Sequence, residues 1–168
     1  KNSEITEIII PNSVTSVDSN AFCDLTKLTR IVLSTNLKNI SSSCFQDLRS
    51  LKEISIPDSV TLIGGGFLIS CTQLTAMTIP PHWELIGNRL CNNRSFFSSF
   101  TIPKNINKID SFPFYNCTQL KRIYVDTENK HFISVDGVIY TMDKTRLIAY
   151  PNGKEDTHYD IPSTTTTL

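Results

Sequence analysis

The sequence aligns with itself, without gaps, when shifted by 23 residues, from Ile5 to Val125. One position of the repeat reads Ile5, Leu28, Leu51, Leu74, Phe97 and Leu120. A second reads Ile8, Ile31, Ile54, Met77, Phe100 and Ile123, and a third Ile10, Leu33, Ile56, Ile79, Ile102 and Val125. Val14, Leu37, Val60, Trp83 and Ile106 share a fourth, and Val17, Ile40, Ile63, Ile86 and Ile109 a fifth. Phe22, Phe45, Leu68 and Phe114 fill another, which lapses at Cys91. Proline closes the first apolar run at Pro11, Pro57, Pro80 and Pro103, with Ser34 as the exception. Five full copies and the start of a sixth are present. One such unit cannot bury its own apolar face, so the copies must stack.

The chemistry within a copy is legible. "LKEISIP" puts Ile54 and Ile56 on one face and Glu53 and Ser55 on the other, the alternation of a strand. Pro57 ends that strand, because proline cannot donate to a ladder. Val60 and Ile63 then return the chain to the core, and a turn leads to a brief helical or 3₁₀ segment that carries Phe67 and Leu68.

Three consecutive glycines, Gly64, Gly65 and Gly66, invite a phosphate-loop reading. The same position in other copies holds Asp18-Ser19-Asn20, Ser41-Ser42-Ser43, Gly87-Asn88-Arg89 and Asp110-Ser111-Phe112, which are mostly turn and capping residues. A phosphate loop also needs a following lysine and a long helix, and "GGGFLIS" supplies neither. The glycines are read as a turn, with no nucleotide.

Lys plus Arg and Asp plus Glu number 16 each, so no net charge draws the chain to nucleic acid or to an anionic membrane. Hydrophobic residues make up 39% and charged residues 19%, enough to build a core. No apolar run approaches the roughly 18 residues of a membrane span.

Cys71 and Cys117 share a position two copies apart, with Leu25 and Leu48 in the copies before. Coils stacked at about 4.8 Å would put these two thiols about 10 Å apart, beyond disulfide reach. They are read as buried, reduced thiols, and Cys91 as a core residue. No Cys-x-x-Cys pair is present, and His82, His131 and His158 fall at unrelated positions, so no metal site is expected. Serine and threonine are abundant without a base in fixed relation, and no catalytic residue or cofactor site is assigned. Trp83 is read as core from its aliphatic counterparts. Asn39, Asn93 and Asn116 lie in N-x-S/T sequons, and the latter two share a position with Asp24, Asp47 and Ser70 that reads as a local turn.

The pattern L-x-x-I-x-I-P-x-x-V-x-x-I-x-x-x-x-F, as in "LKEISIPDSVTLIGGGFLISCTQL" and "LTRIVLSTNLKNISSSCFQDLRSL", resembles the BspA-like (Treponema pallidum-type) leucine-rich repeat over residues 5 to 125. The resemblance implies a leucine-rich repeat solenoid of 23-residue coils. Each coil would carry one short β-strand, with short turns or 3₁₀ or helical segments on the convex side. "HFISVDGVIYTMDKTRLIAYPNGKEDTHYDIP" resembles the hairpin-bearing unit that interrupts such arrays. "GVIYTM" and "RLIAYP" read as its strands, with Asp143-Lys144 as the turn. The expected organisation is an array over 1–125, an irregular hairpin unit over 126–160 and the start of a further repeat over 161–168, with Ile161 at the position of Ile10 and Leu168 at that of Val17. Both ends fall inside the pattern, so they read as boundaries within a longer array.

The resemblance further implies a cell-surface or secreted protein that adheres to host or extracellular-matrix proteins. The alternatives are an intracellular scaffold, and a targeting module attached to a hydrolase domain elsewhere in the chain. In a repeat array the outward strand positions align into one extended surface. Here these are Glu7 and Ile9, Arg30 and Val32, Glu53 and Ser55, Ala76 and Thr78, Ser99 and Thr101, and Arg122 and Tyr124. The candidate partner-binding residues are Arg30, Val32, Glu53, Ser55, Thr78, Thr101, Arg122 and Tyr124. The expected occupant is a protein ligand, with a glycan as a second option. Tyr124 beside Arg122 is the anchor, since both residue types are enriched at binding hot spots. The Glu7, Arg30, Glu53 column alternates in sign and reads equally as a charge ladder.

Overall fold

Each 23-residue copy closes one coil because its backbone bonds to the copy before it. The computed structural model describes residues 4–92 and 97–168, and no helix occurs among them. We number coil one as 5–27, coil two as 28–50, coil three as 51–73, coil four as 74–96, coil five as 97–119, and coil six from Leu120. The first edge of the coils carries β1 (Glu7–Ile9), β3 (Arg30–Val32), β5 (Glu53–Ser55), β8 (Ala76–Thr78), β11 (Ser99–Ile102) and β13 (Arg122–Val125). The second carries β2 (Ser16–Val17), β4 (Asn39–Ile40), β6 (Leu62–Ile63), β9 (Leu85–Ile86) and β12 (Lys108–Ile109). A third short edge carries β7 (Leu68–Ile69) and β10 (Cys91–Asn92). All these pairings are parallel and one repeat apart, as in Glu7↔Arg30, Ser16↔Asn39 and Leu68↔Cys91.

One expectation is corrected. Coils one to five carry two or three short strands each rather than one, and of the expected connections turns are the ones present. Left-handed residues, two in each of coils one, two, three and five, explain this. Asn20, Ser43, Gly66, Arg89 and Phe112 have φ between 54° and 67°, always 23 residues apart. Asp24, Asp47, Ser70 and Asn116 form the second series, at φ between 58° and 62°. Each such residue breaks the i→i+4 pattern of a helix and leaves straight segments only two to four residues long. Asn, Asp and Gly accept the conformation best. This is why Asn116 lies in the same series as Asp24 and Asp47. Asn39, the first of the sequons, sits exposed in β4. Asn93 and the Cys91 side chain lie outside the described residues.

The turn after the first edge is the same in every copy. Val14 N–H donates to Pro11 O at 3.0 Å, and Val60, Trp83 and Ile106 repeat this bond to Pro57, Pro80 and Pro103. Ser34, the residue without the proline ring, makes the same turn through Leu37 N–H at 3.1 Å. Its hydroxyl oxygen accepts from Asn36 N–H at 3.1 Å, which satisfies this buried side chain.

The core runs unbroken along the stack, from Ile10 through Leu51, Ile56 and Ile102 to Phe132 and Ile139. Phe22 and Phe45 stack at 5.9 Å between adjacent coils. Gly64 approaches the neighbouring coil so closely that a Cβ there would lie 2.3 Å from Ser42 N. Its N–H donates to Ile40 O at 2.7 Å, and Gly66 N–H donates to Asn88 O at 3.3 Å. Two of the three glycine amides are therefore spent on stacking rather than open to a phosphate. Cys44, Cys71 and Cys117 are buried, and burial pushes the Cys44 and Cys71 thiols up to about 12.

After β13 the chain forms a three-stranded antiparallel sheet of β14 (Phe132–Val135), β15 (Val138–Thr141) and β16 (Leu147–Ala149). The hairpin expected from "GVIYTM" and "RLIAYP" is the β15–β16 pair, with Lys144 at φ 58° in its turn. β14 was not anticipated. Its turn, Asp136-Gly137 with both φ values positive, is a strong two-residue hairpin signal. Thr165 N–H to Pro162 O at 2.9 Å then rebuilds the turn that follows each first-edge strand. Ile161 and Leu168 are nevertheless 46% and 80% exposed, unlike the buried Ile10 and Val17, at the last coil of the stack.

Gly64→Ala is expected to lower the unfolding free energy by about 1–3 kcal/mol, because backbone rather than a movable side-chain tip meets the new methyl. The shift in denaturation midpoint reads this directly. For the thiols, native labelling of Cys44 and Cys71 should be slow and should accelerate on denaturation. Unfolded thiols ionise from about pH 8.5, while the native ones hold their protons to about 12. The unfolded state then binds fewer protons, so stability should fall as pH rises above about 8.5. A rising or flat denaturation midpoint over that range would contradict the burial of these thiols.

Candidate partner-binding face

The alternation of β5 decides which side chains reach solvent. Ile54 and Ile56 are buried, while Glu53 and Ser55 are exposed. Arg30, Thr78, Thr101, Arg122 and Tyr124 are likewise exposed and Val32 is half-buried, so these eight expected residues share the outward side of the strands.

The first edge is not one continuous ladder. It divides into β1–β3, β5–β8 and β11–β13. Grooves open at both divisions. The larger, about 900 Å³, lies where β3 and β5 fail to pair, and it gathers Arg30, Val32, Glu53, Ser55 and Thr78. The second, about 440 Å³, lies between β8 and β11 and includes Thr101 and Ser99. At this second division Phe97 and Phe100 replace the aliphatic residues of coils one to three, and their ring centroids lie 6.5 Å apart. Both rings are buried in the core beside this opening.

Arg122 and Tyr124 stand outside both grooves, on β13, opposite Ser99 and Thr101 in register. Arg122 leans on the hairpin unit, since a Cβ at Gly137 would lie 3.0 Å from its Cβ. Its charge also reaches Asp156, whose carboxyl is held below the ordinary range first by hydrogen bonding to Lys154, then by the Lys154 charge, with Arg122 adding to it. Tyr124 is 46% exposed and free to act as an anchor.

The charge column is half realised. Arg30 pairs with Glu7 across the intact β1–β3 junction, and Lys27 pairs with Glu4 at 2.7 Å beside it. Exposed pairs of this kind are worth about 0–1 kcal/mol. Glu53 lies across the open junction and makes no ion pair among the described residues. Its carboxylate is available at the groove, between hydroxyls that include Ser55 and Thr78.

A threonine column escaped the sequence reading. Thr29 and Thr75 hydroxyls donate to Thr6 O and Lys52 O, each one coil back, at 3.0 and 3.2 Å. Their 46-residue separation, twice the repeat, was the available signal. Trp83, expected in the core, packs against it but stays half-buried and lines a further cavity on the second edge. Among the described residues, no three His, Cys, Asp or Glu side chains gather at a metal-sized site.

The parallel register and the 23-residue period are those of a leucine-rich repeat solenoid, and the family comparison agrees. The BspA-type leucine-rich repeat region matches residues 1–121 in six copies. The chain belongs to that family. Such families are generally non-enzymatic protein-interaction modules. A search of curated proteins gives no match. Among solved structures, the chain is similar to the pneumococcal vaccine antigen PcpA, at 29% identity and a TM-score of 0.77, over 95% of this chain and 40% of that one. A leucine-rich cell surface protein from Faecalibacterium prausnitzii matches at 24% identity and a TM-score of 0.73, over 96% and 50%. A leucine-rich repeat protein from Eubacterium ventriosum matches at 21% and 0.74, over 94% and 50%. The latter two likenesses concern the fold alone. The chain spans two-fifths to one-half of the length of these relatives. No helix of the described residues is long and apolar enough to cross a membrane.

The faces separate cleanly by mutation. Ile102→Ala removes a fully buried side chain and should cost about 2–5 kcal/mol. Tyr124→Ala, on the opposite side of the adjacent strand, should leave thermal stability within about 0.5 kcal/mol of the parent. A Tyr124→Ala protein that unfolds would invert the assignment of faces.

Proposed function

We propose that this chain is a protein-binding module of a cell-surface or secreted protein, and that it adheres to a host or extracellular-matrix protein through the strand face. The observation that carries this reading is the groove of about 900 Å³ at the open β3–β5 junction. It offers the unpaired Glu53 carboxylate, the Arg30 guanidinium and small hydroxyl side chains beside the paired strands β5 and β8. A footprint across several coils follows, because each coil contributes only two outward side chains at this edge. Arg30, Val32, Glu53, Ser55 and Thr78 would form its centre, with Thr101, Arg122 and Tyr124 extending it toward the hairpin unit.

Two observations support the location. The similar pneumococcal protein, 29% identical, is described as a vaccine antigen, which fits a chain exposed to antibody. Free cysteines would argue for a reducing interior, but among the described cysteines Cys44, Cys71 and Cys117 are buried and shielded from an oxidising exterior, with Cys23 alone half-buried. The competing reading, an intracellular scaffold, uses the same face.

Antibody against this segment should label intact, non-permeabilised cells that express the full-length protein; labelling only after permeabilisation would assign it to the interior. In solid-phase binding to extracellular-matrix proteins, Thr78→Arg should abolish binding, and Tyr124→Ala should weaken it by about 1–3 kcal/mol. Asp58→Arg, at an exposed turn, should leave it unchanged. Equal effects of all three substitutions would place the binding surface elsewhere.

A further inference from the structure

The second edge parts between coils three and four. On one side of that junction the backbone bonds are regular. Thr61 and Leu62 N–H donate to Lys38 O at 2.9 and 3.2 Å, and Gly64 N–H donates to Ile40 O at 2.7 Å. On the other side, Asn107 and Lys108 N–H donate to Glu84 O at 2.8 and 3.0 Å, and Asp110 N–H donates to Ile86 O at 2.9 Å. Between them, β6 and β9 belong to separate sheets. The equivalent donors would be Glu84, Leu85 and Gly87, and the equivalent acceptors Thr61 O and Ile63 O. Those bonds are not made.

Two rings stand at this junction. Trp83 stands where the other copies carry Val14, Leu37, Val60 and Ile106, and an indole is too wide for coils about 4.8 Å apart. Its Nε1–H donates to Val60 O at 3.2 Å. His82 Nε2, in its protonated tautomer, donates to the same oxygen at 2.9 Å. Beside these rings lies a cavity of about 320 Å³, walled by the apolar side chains of Leu62, Phe67, Trp83, Leu85 and Leu90 and by the open backbone edges.

We propose that this cavity is a second binding site, which takes one aromatic residue of a peptide and pairs that residue's main-chain amide with the open ladder. The volume sits at the lower end of the range of about 300–1,000 Å³ for ligand pockets, which suits one ring rather than a larger body. The apolar walls select a ring or aliphatic chain over a charged group. The unspent backbone donors and acceptors select an amide over a plain hydrocarbon, because covering them without a partner carries a desolvation cost. No lysine or arginine lines the cavity, and the Glu84 carboxylate is engaged by Asn107 Nδ2 at 3.0 Å, so a neutral ligand fits best. Gly87 keeps one wall low, with no atom within 4 Å of where its Cβ would stand, which leaves room for a second backbone. The site is separate from the strand-face grooves and does not depend on them.

Trp83 is the only tryptophan, so its fluorescence reports the site alone. Titration with N-acetylphenylalaninamide should give a saturable change in emission and shift the Leu85 and Gly87 amide resonances. N-acetylalaninamide at the same concentration should do neither, and toluene should bind about tenfold or more weakly. Gly87→Val fills the approach and retains the fluorophore, and it should abolish the response while the melting curve stays cooperative. Trp83→Leu restores an aliphatic residue and should abolish the probe-induced shift at Gly87. Absence of saturation at tens of millimolar probe would overturn the site, as would an undiminished response in both variants. Toluene binding as tightly as the amide would overturn the role of the open ladder.

Discussion

Parallel backbone pairing between residues 23 apart is the interaction on which every other feature rests. A single coil has almost no internal hydrogen bonds beyond its turns, and its apolar side chains face one another only thinly. Pairing with the next coil satisfies the backbone and closes the core at the same time. The three edges share this task. Coils one and two are joined on all three edges, and coils two and three on the second and, through Phe45 N–H to Phe67 O and Asp47 N–H to Ile69 O, on the third. Coils three and four are joined on the first and third, four and five on the second, and five and six on the first. No junction loses every edge, so the stack can open locally and remain one body.

Those local openings are where the molecule has something to offer a ligand. The three cavities described above lie at junctions where an edge is unpaired. Two of the openings coincide with oversized rings in aliphatic positions, Phe97 and Phe100 in one and Trp83 in the other. A regular array of this kind presents a smooth surface. Here grooves interrupt it, two of them beside these larger rings and the third, between β3 and β5, without one.

The far end of the array poses a different problem, since an unpaired strand edge invites pairing with other chains. The hairpin unit covers it. Ile123 N–H donates to Gly137 O at 2.9 Å, and the Ser134 hydroxyl donates to Ile123 O at 2.6 Å. The following segment is then fastened by Lys154, whose side chain is only 3% exposed. Its ammonium donates to Asp136 O at 2.9 Å, pairs with Asp156 and lies 5.5 Å above the Tyr159 ring. Burial and the hydroxyl of the fully buried Tyr140 hold the Tyr159 phenol well above its ordinary range, so this end keeps its neutral hydroxyl network.

The period, the register, the inward and outward sides of β5 and the burial of Cys71 were all determined by the sequence alone. They depend on apolar positions repeating every 23 residues, and that pattern is visible without coordinates. The Asp136-Gly137 turn was equally visible, though it was passed over in favour of the turn at Asp143-Lys144. The number of strands per coil, the left-handed conformation at Arg89 and Phe112, and the division of the first edge were decided only by the tertiary structure. Arg89 and Phe112 are poor choices for that conformation, and only stacking on the neighbouring coils imposes it. The grooves arise in the same way. Whether Trp83 fits its position or wedges the coils apart depends on the spacing to Val60 in the coil before it, a distance that no residue type encodes by itself.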